Sequence, residues 1–78
     1  MSTSPEDRIV TLLSRWLARH LDNARLREGI ETAGRVGLSP EQAEAVDELL
    51  AELGRAAPGQ RGEIEMAVRE TLEALALP

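Results

Sequence analysis

His20 is the only histidine of this chain, and Trp16, its only tryptophan, stands one helical turn earlier in the stretch SRWLARHLDNARLR. Arg15, Arg19, Arg25 and Arg27 crowd the same stretch. A histidine can act as a general base or metal ligand, a tryptophan can stack on a flat ligand, and arginines can grip an anion. Each role needs company. A zinc site takes three or four ligands, and the chain has no cysteine and no second histidine. A nucleophilic triad needs a nucleophile, a base and an orienting group in mutual reach, and no spacing here assembles one. His20 falls in the last turn of a first helix, on its apolar side. It is expected to be partly buried there, bonding a terminal carbonyl at the negative helix end. Trp16 shares that stripe and is expected to anchor the core, with the stems of Arg15 and Arg19 over its edge.

Carboxylates are abundant, but a catalytic pair needs a pocket that drives two pKa values apart. A chain this short leaves little room for one. The glycines of AGRVGLSP have neither Walker nor dinucleotide spacing. No catalytic, metal or cofactor residue is therefore expected, no small-molecule ligand is predicted, and the chain is read as non-enzymatic.

Three surface features remain. Glu41, Glu44, Glu48 and Glu52 share one side of a third helix, where like charges one turn apart each cost a few tenths of a kcal/mol, roughly. Arg8, Arg15 and Arg19 fall in a line along the first helix. Met66 and Leu77 lie off the main apolar stripe of a fourth helix, as a second weak apolar strip. Complementary charged ridges would steer an encounter and set its specificity, with the Met66 strip supplying burial.

The elements that carry these residues are legible from their punctuation. Ser4-Pro5-Glu6-Asp7 combines a cap, a first-turn proline and acids at the positive helix end. Ile9, Leu12, Leu13, Trp16, Leu17, His20 and Leu21 then recur at helical spacing, so helix 1 is predicted over 5–21. Asp22-Asn23 is cap chemistry inside a helical pattern. Leu26, Ile30 and Ala33 also sit about a third of a turn off the helix 1 stripe at ~100° per residue. A break or kink is expected there, with helix 2 over 23–33 and Gly34 at an αL stop. Ser39 and Gln42 make a capping box that opens helix 3 over 40–53, with Leu38 stapled to Ala43 and Gly54 as its stop. Its buried stripe is Ala43, Val46, Leu49, Leu50 and Leu53. RAAPG turns into helix 4 over 60–76, with Ile64, Val68, Leu72 and Leu75 inward. The two Ser-Pro-Glu openers are reused capping chemistry: with Ser4 on Ser39, Leu12 would meet Asp47.

The predicted fold is all-α, one small four-helix bundle over 1–78, with residues 1–3 disordered. Short connections imply antiparallel neighbours, so helices 3 and 4 should form a hairpin packed on helices 1 and 2. Leucine and alanine dominate, and phenylalanine and tyrosine are absent. Below about 80 residues one core supplies only ~3–5 kcal/mol, so completion by dimerisation would help.

Seventy-eight residues carry a net charge of −5, which argues against nucleic acid as a ligand. The charge is uneven: residues 1–38 sum to +1 and residues 39–78 to −6. Every basic residue is arginine, which fits the codon bias of a GC-rich bacterial genome. No uninterrupted apolar run forms a signal peptide or membrane span, and a cytoplasmic location is expected.

LREGIETAGRVGLSPEQAEAVDELL resembles a helix-turn-helix in outline: helix, glycine turn, capped second helix. That second helix carries Glu41, Glu44, Asp47, Glu48 and Glu52 with no base before Arg55, a face that would repel a DNA backbone. The small, acidic, four-helical chain also resembles an acyl carrier protein. It lacks the Asp-Ser-Leu attachment motif. The expected function is therefore a protein–protein interaction module, binding another protein or a second copy of itself. The alternative is a small acidic inhibitor or nucleic-acid mimic that blocks a basic groove.

Overall fold

The computed structural model describes residues 4–57 and 59–76. The expectations for residues 1–3 and for Leu77 fall outside them. Four helices follow in order: α1 (Pro5–Leu17), α2 (Asn23–Ala33), α3 (Pro40–Arg55) and α4 (Gly62–Ala76). The fold is all-α, as the composition predicts. α1 packs on α2 and α3 on α4, while α1–α4 and α2–α3 contacts close a ring. The α1–α2 edge and the α3–α4 edge therefore face opposite ways.

The helix starts are set by the expected side chains. The Ser4 hydroxyl accepts from the Asp7 amide, and the Asp22 carboxylate accepts from the Arg25 amide at 2.8 Å. Ser39 and Gln42 complete the capping box in both directions.

α1 ends four residues before its predicted limit. The Arg19 amide donates to the Trp16 carbonyl at 3.0 Å and the His20 amide to the Arg15 carbonyl at 2.8 Å. That is a Schellman closure, with Arg19 at φ 66° where glycine is usual. His20 is consequently outside the helix and exposed, not partly buried on the apolar stripe. The left-handed backbone costs an L-residue about 1–2 kcal/mol, and glycine's extra unfolded freedom returns about half of that. Arg19→Gly is expected to raise the thermal midpoint by a few degrees in a domain this size. A lower midpoint by circular dichroism would contradict this account of the α1 terminus.

Gly34 ends α2 as expected, but at φ 77°, ψ −169° rather than in αL. That region is open essentially to glycine alone. α3 runs through Gly54, which keeps an ordinary helical φ, and stops at Arg55. Pro58 in the sequence then disfavours further helix at the residue before it. α4 starts at Gly62 rather than 60, because Gln60 and Arg61 are committed elsewhere. The Gln60 side chain accepts from the Ala57 amide and its carbonyl accepts from Asn23.

Ile9, Leu13, Trp16, Leu26, Ile30, Val46, Leu49, Leu53, Ile64, Val68 and Leu75 form one buried cluster. Ala43, Leu50 and Leu72, expected inside, are half-buried. Gln42 and Thr71 are buried in the α3–α4 seam, each with hydrogen bonds to backbone carbonyls.

Trp16 is fully buried. Its indole N–H donates to Asn23 Oδ1 at 2.8 Å, and the Asn23 amide donates onward to the Gln60 carbonyl at 2.7 Å. The Arg61 guanidinium lies 3.8 Å from the ring centre and bonds the Trp16 carbonyl. Arg61, which no sequence pattern singled out, covers the indole face. One tryptophan thus ties the end of α1 to the start of α2 and to the approach to α4.

Candidate functional site

α3 and α4 face each other across a surface groove of about 480 Å³. Burial of Val46, Leu49 and Leu53 fixes the rotation of α3 and turns Glu48, Ala51, Glu52 and Arg55 toward it. α4 contributes Glu63, Met66, Ala67 and Glu70. The small side chains of Ala51 and Ala67 leave the depression open, and Met66 stands in it 66% exposed. Arg55 pairs with Glu52. The remaining carboxylates of the groove, Glu48, Glu63 and Glu70, have no ion-pair partner among the described residues.

The fold therefore joins Met66 with Glu48 and Glu52 in one surface. It leaves Glu41 and Glu44 exposed on α3 beyond the groove. Glu63 and Glu70 were missed in the sequence, although they sit at i−3 and i+4 from Met66 and so must share its face.

The arginine line does not survive as a helical row. Arg8 and Arg15 are exposed on α1, but Arg19 lies beyond its end with reversed backbone. Arg8 instead joins Arg25 at a second groove of about 550 Å³, between α1 and α2. Neither has an ion-pair partner among the described residues. No spacing in the sequence links Arg25 to Arg8.

A third groove, about 850 Å³, lies where α2 meets the end of α3, more space than the chain's length suggests. Most of its polar side chains are engaged: Asp22 caps α2, Asn23 holds Trp16, and Arg27 pairs with Glu31 at 3.1 Å. The loop after α2 adds Val36, 83% exposed between Gly34 and Gly37, both at positive φ. Arg35 beside it is tied back to Asp47.

Among the described residues, no group of three or more His, Asp or Glu side chains is placed to hold a metal ion. No helix among them is long and apolar enough to cross a membrane. Compared with family models, characterised proteins and solved structures, the chain matches none.

Proposed function

We propose that the chain is a non-enzymatic protein-interaction module that docks its partner on the α3–α4 face. The observation that carries this reading is Met66, an exposed methionine centred among Glu48, Glu63 and Glu70. An adaptable apolar side chain inside a ring of unpaired acids suits a partner surface that is apolar in the middle and basic at its rim.

The test is a photo-crosslinking residue placed at Met66 in the native host. A discrete protein adduct is expected there and at Glu44, and none at Arg27 on the α2 face. Absence of any adduct at Met66 and Glu44 would overturn the proposal.

A second reading is an acidic inhibitor or nucleic-acid mimic that fills a basic groove. It is favoured by the acids of α3 and α4 without an ion-pair partner among the described residues: with Asp47, Glu52 and Glu65 paired, Glu41, Glu44, Glu48, Glu63, Glu70 and Glu73 remain. The two readings separate by substitution. Met66→Asp should abolish binding by the module and leave a mimic almost unaffected. Glu44→Arg with Glu48→Arg should abolish binding by a mimic.

A further inference from the structure

We infer that the partner of the α3–α4 face is the α1–α2 groove of a second copy, so that the protein associates head to tail. This rests on the α3–α4 face being a docking surface, and it adds the identity of what docks. The groove floor is apolar: Leu12, Leu21, Gly29 and Ala33. Gly29 lets the two helices approach closely; a Cβ there would stand 2.8 Å from Leu12 Cδ1. Arg8 and Arg25 rim the groove, with Glu28 as the one opposing charge.

The sign of the charges and their spacing along the helix axis match the other face. Trp16 meets Asn23 and Leu12 meets Gly29, so contacts that step back along α1 step forward along α2, and α2 returns antiparallel. Arg8 and Arg25 each precede the Leu12–Gly29 contact by four residues on their own helices. In antiparallel helices they therefore flank it from opposite ends, ~12 Å apart along the axes at 1.5 Å per residue and one interhelical distance, ~8–10 Å, apart across them. On α4, Glu63 and Glu70 flank Met66 at a separation of ~10.5 Å by the same rise. A methionine between two acids thus meets an apolar floor between two arginines, a helix lying along a groove.

The two surfaces lie on opposite edges of the ring of helices. A bound pair leaves one of each surface free, so assembly continues to a ring or an open filament.

The experiment is sedimentation and light scattering of the full chain. Wild type should grow in mass with concentration at low ionic strength and shrink with added salt. Met66→Asp disables the knob. Arg8→Glu with Arg25→Glu disables the groove. Each variant alone should stay monomeric, with association weakened at least ~10-fold, about 1.4 kcal/mol. Mixed one to one, they should form a dimer and nothing larger, because each retains one good surface. Circular dichroism verifies the fold, and Glu63→Arg with Glu70→Arg provides a second knob-dead variant.

A wild type that is monomeric at every concentration overturns the proposal. So does a mixture that stays monomeric, or a single variant that still dimerises. Crosslinks from Met66 to a different protein in a monomeric wild type would sink the head-to-tail assembly and leave the interaction module standing.

Discussion

Trp16→Ala is expected to leave the chain unfolded at 25 °C. Removing a fully buried tryptophan costs about 3–5 kcal/mol in transfer and cavity terms. That equals the ~3–5 kcal/mol that a core of this size supplies. No other aromatic side chain exists to fill the space, and no disulfide holds the chain together. The loss also travels beyond the cavity. Asn23 Oδ1 loses its donor and the Arg61 guanidinium loses its ring, so the α1 terminus, the α2 start and the approach to α4 come apart together. Far-UV circular dichroism with a urea titration reads the outcome, since the only tryptophan fluorophore is gone. A cooperative transition with a midpoint close to wild type would show that the core is not organised around this residue. Trp16→Phe, which keeps an aromatic face for Arg61, should remain folded with an intermediate midpoint.

The start of α2 was readable because two independent signals coincided at Asp22-Asn23: cap chemistry and a rotation of the apolar stripe. The end of α1 was not, because its left-handed closing residue is Arg19, where a glycine would have announced the stop. Leu21 continues the apolar period past that point, and it does pack on the core, but from the connection. Gln60 and Arg61 read as helix because their alternatives are tertiary: a carbonyl taken by Asn23 and a stack on Trp16 have no local signature. Gln42 was recognised as a cap, and its burial follows from α4 lying over the same end of α3. For the candidate surface, each helix face was legible singly. Which faces meet was not. The Glu48–Glu52 edge of α3 borders Met66 only because the α3–α4 hairpin closes with that register. Arg8 gains Arg25 as a neighbour only because α2 folds back.

Asn23→Ala should cost about 2–3 kcal/mol, and a double-mutant cycle with Trp16→Phe should show why. Asn23 accepts from an indole N–H on a fully buried ring. Without that acceptor the N–H is stranded away from water, a penalty of about 1–3 kcal/mol. The Gln60 carbonyl also loses its donor, but that bond is exposed and water replaces it. In the Trp16→Phe background no N–H remains to be stranded, so Asn23→Ala should cost under about 1 kcal/mol there. The coupling between the two positions should therefore be about 1–2 kcal/mol, favourable, within the range for directly bonded groups. Urea unfolding of the four proteins, with an unchanged dependence on denaturant, measures it. A coupling near zero would mean that the corner is held by packing and the Arg61 stack alone. A coupling of the expected size makes Asn23 the residue that converts one buried side chain into a fixed angle between α1 and α2. That angle sets the width of the groove bearing Arg8 and Arg25, so a loosened Asn23 variant should also lose the head-to-tail association while still folded.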